Sequence, residues 1–446
     1  MFCFKIYSSS TTLTMKFRAI ARFKRFVSHI NQFFGQNLDP FKGIEHLYFL
    51  EESSKRLYIS YRGYSNEKTK LSTDYLLKSV LIEIGNFLAI GRLTLLCFTS
   101  NAFVTTYLGD FYINTTIRFY MNNTLAVVGW LVVLMRSMLF WQDINHQREW
   151  LSTFAFIKCH GFNASLLKIT SSGANQLRNK VYLTRIFYTV TSLFTAFFIA
   201  ALIFYSFLSN PYSYLSRRLL FCQLFWASLT IWQAYIDVSS TVWLVAHIYL
   251  LTVYCSLQLD AVDLSIARIL TKRSSNGKSP HFDQCLPNQA LRSLVVDQNY
   301  AVSCIYKFRS QIKHFISLGY FYACFGADFM FYSVSVMPTD QILYNIIVAG
   351  LGVETMFISM TIILILSKVS AKAAESYGKY HMIIEEAKPG VTTKRMVSGV
   401  LETIGDSFIG FYIGDVFKAT MNQYVEFVLG NCSMMLMLIS TMRQIS

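Results

Sequence analysis

Seven long apolar stretches, separated by polar and basic segments, dominate the pattern of hydrophobic and polar positions along the chain. A helix needs about 20 apolar residues to cross the hydrocarbon core of a bilayer, and each stretch reaches that length. We therefore predict an all-α membrane protein with seven transmembrane helices. The predicted spans cover residues 79–103, 119–141, 186–208, 219–257, 315–336, 342–366 and 417–442.

The fourth span is far longer than a membrane crossing requires. Its 39 residues correspond to roughly 58 Å of helix, about twice the thickness of the hydrocarbon core. The stretch contains neither Gly nor Pro, so nothing in it signals a turn between two shorter helices. We predict one long helix, with an end that projects beyond the membrane and is covered there by protein.

Polar and small residues recur at steps of three and four along the last span, which places them on one face of a helix. Two interpretations of this stripe stay open. The helix lines a water-filled pore, with Met437 as a hydrophobic constriction, or it is a packed terminal helix whose polar side chains bond to a neighbour. The predicted pore-lining residues are Asn422, Glu426, Gly430, Ser433, Met437, Ser440 and Thr441.

Composition and charge support a membrane protein and predict its orientation. Of 446 residues, 53% are hydrophobic and 15% are charged, against about a quarter charged in soluble proteins. The formal net charge is +15, and 33 of the Lys and Arg residues fall on one side of the predicted spans against four on the other. Because basic residues favour the cytosolic side, we predict a cytosolic N-terminus, an extracellular C-terminus and a multi-pass protein of the plasma membrane. Basic residues spread over every inner loop do not indicate nucleic-acid binding.

This topology divides the chain into segments. The first 38 residues lack acids and are rich in Lys, Arg and Ser, which is also typical of a mitochondrial leader, but we favour a retained cytosolic arm. Residues 271–287 are rich in Ser, Gly and Pro and predict a flexible cytosolic excursion. The predicted segments are a cytosolic arm (1–77), transmembrane helices one to four (78–257), a cytosolic linker and anchor (258–314), helices five and six (315–367), cytosolic anchor helices (368–416) and the pore-lining helix (417–446).

Known catalytic motifs are absent from the sequence. It contains no HExxH, Walker or GxSxG motif, its nine cysteines have no paired spacing, and its eight histidines form no metal-ligand pattern. We therefore predict a protein that is not an enzyme and binds no cofactor or metal. A secondary transporter is an alternative, because intramembrane acids can couple ion movement, although seven spans without a two-fold repeat argue against it.

The segment Gly410-Phe411-Tyr412-Ile413-Gly414-Asp415 and the span after it resemble the arthropod gustatory and odorant receptor superfamily. Gustatory receptors carry Thr-Tyr, five apolar residues and Gln-Phe where this chain has residues 433–441, with Met434, Ser440 and Thr441 at the Tyr, Gln and Phe positions. A divergent gustatory receptor is favoured, while Cys432-Ser433 equally resembles the Tyr-Ser pair of odorant receptors.

The resemblance implies a non-selective cation channel opened by a small-molecule tastant, or by an odorant in the related branch. It implies four subunits in the membrane lipid, either a homotetramer or a heterotetramer with a related receptor. One last helix from each subunit would surround the pore, and the inner helices would form a shared cytosolic anchor.

Acidic residues inside spans are energetically costly and indicate function. The resemblance places the ligand pocket between the outer halves of the second to sixth helices, where Asp328 and Glu354 can face one cavity. Alternatively these acids pair with Arg92 or form hydrogen bonds within the bundle, and Asp237 and His247 are predicted to make contacts between helices. The predicted ligand-binding residues are Trp130, Trp226, Gln233, Asp328, Tyr332, Tyr344 and Glu354.

Overall fold

The computed structural model describes residues 40–65, 71–113, 118–275, 285–336, 342–387, 390–406, 408–415 and 417–445, which form helices and one short hairpin. Two 3-10 turns, Glu149–Leu151 and Pro211–Tyr214, join helices of the bundle. The helices are α1 (Pro40–Arg56), α2 (Thr73–Phe98), α3 (Ala102–Tyr107), α4 (Arg118–Ile144), α5 (Ser152–His160), α6 (Ala164–Leu167), α7 (Ser171–Ser209), α8 (Arg217–Ser275), α9 (Cys285–Val336), α10 (Ile342–Ala387), α11 (Val391–Asp406) and α12 (Met421–Ile445), and the strands are β1 (Tyr412–Ile413) and β2 (Phe417–Lys418).

The apolar spans lie in helices, as the sequence predicts. Among the described residues, α2, α4, α7, α8 and α10 have the length and hydropathy to cross a membrane. The two other predicted spans lie in α9 and α12. Large apolar side chains on the outside of the bundle, such as Phe98, Phe197 and Phe221, are more than two-thirds exposed. This is the surface that a membrane protein presents to lipid.

The predicted long fourth helix is confirmed. Helix α8 runs without interruption for 59 residues, about 88 Å at the rise of an α-helix. The C-terminal part of α8 is buried by α9, α10 and α11, in a cluster that includes Ile266, Leu294, Ile383 and Val397. The predicted excursion at residues 271–287 is helical at both ends, and its centre lies outside the described residues.

The largest hydrophobic cluster lies where α8 meets α1, α5, α7 and α9. Trp243 of α8 is fully buried there, its ring centroid is 6.3 Å from that of Trp150, and its indole nitrogen donates to the Leu50 carbonyl at 2.8 Å. His247, one turn further on, contacts the Tyr64 hydroxyl at 2.7 Å. These bonds join α8 to the N-terminal segment. His247 was predicted to make a polar contact with another helix, but its partner Tyr64 lies in the turn that follows α1.

The ends of two predicted spans are wrong. The first span was predicted to reach Phe103, but α2 ends at Phe98, and the Asn101 side chain accepts from the Phe103 amide to start α3 instead. The last span was predicted to begin at Phe417, but that residue pairs with Ile413 in an antiparallel hairpin, and α12 begins at Met421. The polar residues Thr99, Ser100 and Asn101 separate α2 from α3, and backbone pairing in the hairpin delays the start of α12.

Candidate functional site: a cavity beside the terminal helix

A cavity of about 110 Å³ lies between α4, α7, α8, α9 and α10. Its wall is mostly aliphatic and aromatic, with a few hydroxyl groups and one carboxyl group, which is the composition of small-molecule sites. Two tyrosines of α9 line it, Tyr320 and Tyr322, and the other polar lining residues come from α7, α8 and α10: Thr191, Thr195, Thr241, Glu354, Thr355 and Ser359.

Glu354 supplies the carboxyl group of the cavity. Its Oε1 atom lies 2.9 Å from the Thr195 hydroxyl of α7, and its Oε2 atom is buried without a hydrogen-bond partner. No ion pair joins Glu354 to a basic side chain within the described part of the chain. The alternative in which Glu354 pairs with Arg92 is therefore not observed, because Arg92 donates to the carbonyls of Leu108 and Gly109.

Tyr320 of α9 connects the cavity to the terminal helix. This residue lines the cavity, and its ring centroid lies 5.2 Å from that of Phe427 on α12 and 6.4 Å from that of Phe417 in β2. Phe427 is 3% exposed, so it is held between α12 and the bundle. A side chain that an occupant of the cavity can touch is thus in direct contact with the terminal helix.

The predicted polar stripe of α12 is not on the side of the helix that packs against the rest of the subunit. Helix α12 packs against α9 and α10 through the side that carries buried Phe427 and Asn431. At about 100° per residue, the stripe occupies roughly a quarter of the helix circumference, beside that packed side. Thr441 has a side chain outside the described set, and the other stripe residues are exposed in the subunit: Asn422, Glu426, Gly430, Ser433, Met437 and Ser440.

The hairpin before α12 holds the start of this helix. Its turn contains Gly414, whose φ of 64° favours glycine and whose amide donates to the Lys313 carbonyl at 3.1 Å. A hydrogen bond from Lys313 lowers the pKa of Asp415 below its usual value. The Ser370 hydroxyl of α10 donates to the Ala419 carbonyl at 2.8 Å. Helices α9 and α10 therefore both hold the base of the terminal helix.

The aromatic ligand-binding candidates whose side chains are described do not line the cavity. The Trp130 indole donates to the Thr94 hydroxyl at 3.1 Å, and the Trp226 indole donates to the Tyr107 carbonyl at 3.0 Å. Tyr332 is half-buried beside a second hydrophobic cluster that contains Phe111 and Ile347. The side chain of Tyr344 lies outside the described set.

The polar candidates are also separated from one another. Gln233 is 3% exposed, and its amide occupies the space above Gly85, where a Cβ atom would lie 2.2 Å from Nε2. Asp328 has a buried Oδ1 atom without a partner but does not line the cavity. Of the described candidates, Glu354 is the one that reaches the cavity.

Sequence reasoning missed Thr195 and Tyr320 as lining residues. Thr191 and Thr195 are four residues apart in an apolar span, a spacing that puts two hydroxyls on one helix face and could have indicated an interior position. Tyr320 is one of 27 tyrosines, and its sequence neighbours do not distinguish it.

A buried ionic network lies between α2, α4 and α8. Arg136 is 1% exposed, and its Nε atom is 2.7 Å from Glu83 Oε1 and 3.9 Å from Asp237 Oδ1. The same guanidinium donates to the Ser240 hydroxyl at 2.8 Å and to the Leu57 carbonyl at 2.9 Å. Asp237 also accepts from the Asn86 amide at 3.0 Å, which confirms its predicted contact between helices.

Two solved structures of the insect olfactory receptor OR5 from Machilis hrabei are similar to this chain. In the complex with eugenol, the alignment covers 92% of this chain and 100% of that chain, with a TM-score of 0.62 and 10% identity. In the second structure it covers 89% and 99%, with a TM-score of 0.54 and 11% identity. No family model and no curated protein sequence matches the chain. The similarity extends over nearly the whole length of both proteins, and the chain has the helical fold of these two receptor structures, in agreement with the predicted all-α fold.

Proposed function

We propose that this protein is a subunit of a chemosensory receptor that acts as a ligand-gated, non-selective cation channel in the plasma membrane. The observation that carries the proposal is the position of Tyr320, which lines the cavity and packs against Phe427 of the terminal helix. A ligand that moves the Tyr320 ring changes the packing of α12, and its binding energy can bias α12 between two positions.

The terminal helix supports the pore in this proposal. Its polar stripe is exposed in one subunit, and four copies around an axis would bring four stripes together. Glu426 would concentrate cations in such a pore, and a ring of Met437 side chains would close it by excluding water. The projecting parts of α8, α9 and α10, together with α11, would form the cytosolic anchor that joins the subunits.

A tastant and an odorant are both candidates for the activating molecule. The sequence pattern at residues 433–441 favours the gustatory branch, whereas the two similar structures are of an olfactory receptor, one of them in complex with eugenol. Both candidates are small molecules of the kind that an apolar cavity with few polar groups accepts.

Whole-cell recording from cells that express this chain alone tests the proposal. A panel of volatile and water-soluble small molecules should evoke an inward current that reverses near zero potential and disappears when a large organic cation replaces sodium. Met437→Ser should produce the same current without any ligand, because a hydroxyl wets the constriction. Leu436→Ser is the matched control, since Leu436 lies outside the stripe and is exposed. If both variants reach the surface and neither conducts, the channel proposal is wrong.

A further inference from the structure

Glu354 supplies the acidic group that lines the cavity, and its carboxyl group has too few hydrogen-bond partners and no counter-charge among the described residues. One of its oxygens contacts Thr195, the other is buried without a partner, and no basic side chain among the described residues pairs with it. Buried polar groups in proteins nearly always have partners, and a carboxylate in an apolar environment requires a counter-charge. The Oε2 atom of Glu354 can therefore accept a hydrogen bond from a ligand in the cavity.

Three hydroxyl groups of the cavity, on α8 and α10, present acceptors rather than donors. Ser359 donates to the Thr355 carbonyl at 2.8 Å, Thr355 donates to the Leu351 carbonyl at 2.9 Å, and Thr241 donates to the Asp237 carbonyl at 3.0 Å. A hydroxyl has one proton, so these oxygens have lone pairs left but no proton for an occupant. On the wall that these three residues form, a ligand group that donates a hydrogen bond is therefore favoured over one that accepts.

Thr195 strengthens this preference. Its hydroxyl lies 2.9 Å from Glu354 Oε1 and also 2.9 Å from the Thr191 carbonyl, and its single proton can satisfy one of these two acceptors at a time. The pair therefore has more acceptors than donors whenever Glu354 is ionised. A cationic group at Glu354 would supply the missing hydrogen-bond donor and would balance the negative charge of the carboxylate.

The size of the cavity limits the occupant. Its volume of about 110 Å³ is smaller than the cavity of about 150 Å³ that accommodates benzene. Aliphatic residues of α8 and α10, including Val242, Ile248 and Ile358, form an apolar part of the wall. An occupant needs a short hydrocarbon body and a single polar end.

We propose that the cavity binds a small organic ammonium ion, with the ammonium group at Glu354 and a hydrocarbon of about three or four carbon atoms against the aliphatic wall. This inference names the ligand class for the proposed receptor and rests on the proposed function for its effect on current, but not for binding. The ammonium can come from a free amine or from an amine-bearing lipid headgroup.

The test uses the purified full-length protein in nanodiscs of phosphatidylglycerol, a lipid without an ammonium group. Binding of propan-2-amine is measured as a shift of the thermal unfolding midpoint with concentration, and propan-2-ol is the uncharged probe of the same shape. We expect the amine to bind with at least about tenfold higher affinity than the alcohol, since hydrogen bonds to charged groups are the stronger ones. Nanodiscs that contain phosphatidylethanolamine should weaken amine binding only if the lipid headgroup competes for the same carboxyl group.

Two pairs of variants locate the site. Glu354→Gln should weaken amine binding about 10- to 100-fold and leave alcohol binding nearly unchanged. Asp328→Asn is the matched control, because it makes the same change at an intramembrane acid outside the cavity. Gly319→Val should block both probes, since Gly319 lines the cavity and a Cβ atom there would meet no atom within 4 Å. Gly350→Val is its control on α10, where a Cβ atom also meets nothing within 4 Å.

Equal binding of amine and alcohol, or amine binding that survives Glu354→Gln, would overturn the inference. Failure of the channel proposal looks different. Amine binding that requires Glu354 but evokes no current would leave the binding site in place and remove the proposed function. Currents evoked by uncharged compounds, without amine binding, would leave the channel and remove the ammonium site.

Discussion

The buried network around Arg136 allows a quantitative prediction about stability. Arg136→Met removes the guanidinium that contacts Glu83, Ser240 and the Leu57 carbonyl, and replaces it with an unbranched apolar side chain. The carboxylates of Glu83 and Asp237 then lose the positive charge that both of them contact. The substitution should therefore destabilise the packing of α2, α4 and α8 much more than the loss of one surface ion pair.

The expected magnitude follows from the burial of the pair. Removing one partner of a buried ion pair costs about 3–5 kcal/mol, because the remaining charge is left uncompensated. Adding Glu83→Gln to Arg136→Met should recover part of this loss, since it removes one of the two unpaired carboxylates. Glu83→Gln alone should cost less than Arg136→Met, because Asp237 still lies 3.9 Å from the guanidinium as a counter-charge.

The assay is thermal unfolding of the detergent-solubilised protein, followed by size-exclusion chromatography of the fraction that stays folded. Arg56→Met is the matched control. Arg56 forms an ion pair with Glu52 at 3.5 Å, and their side chains are 76% and 53% exposed, so its loss should cost at most about 1 kcal/mol. If Arg136→Met unfolds at the same temperature as Arg56→Met, or if the double variant is no more stable than Arg136→Met, the reasoning about the network is wrong.

Three further predictions concern the site. Tyr320→Ala and Phe427→Ala should shift the activating ligand concentration non-additively, with a coupling of about 0.5–1.5 kcal/mol in a double-mutant cycle; additive shifts would contradict transmission through this contact. Ser433→Cys should react with a charged thiol reagent that then alters the current, whereas Leu436→Cys should remain unaffected, and equal effects would argue for an ordinary packed helix. Trp226→Phe removes an indole hydrogen bond and should lower the unfolding midpoint by the equivalent of about 1 kcal/mol; an altered ligand response with unchanged stability would instead support its predicted place in a ligand pocket.

The sequence by itself determined the membrane class, the long fourth helix and the polar face of the last helix. Each of these three features depends on the composition or the spacing of residues that are close together in the sequence. The run from 217 to 275 contains no Gly or Pro to interrupt it, and the spacing of Glu426, Ser433 and Met437 fixes their common face in any α-helix. These features do not depend on which other helix lies nearby.

Sequence reasoning failed where a local hydrogen bond or a distant contact outweighs apolar character. Phe417 is apolar and continuous with the last span, but its backbone pairs with Ile413, and its ring lies beside Tyr320. After Phe98, α2 ends, and the Asn101 side chain caps the start of the separate helix α3. Hydropathy averages over many residues and does not register one capping or pairing interaction.

Tertiary structure alone decided the composition of the cavity. Glu354 and Thr195 are 159 residues apart in the chain but 2.9 Å apart in space, and Tyr320 reaches Phe427 from another helix. Asp328 and Glu354 look alike in the sequence, as two acids in apolar spans, and yet one of them lines the cavity and the other does not. A cavity is the volume that packed helices leave between them, so the residues that line it depend on the rotation and crossing of five helices at once.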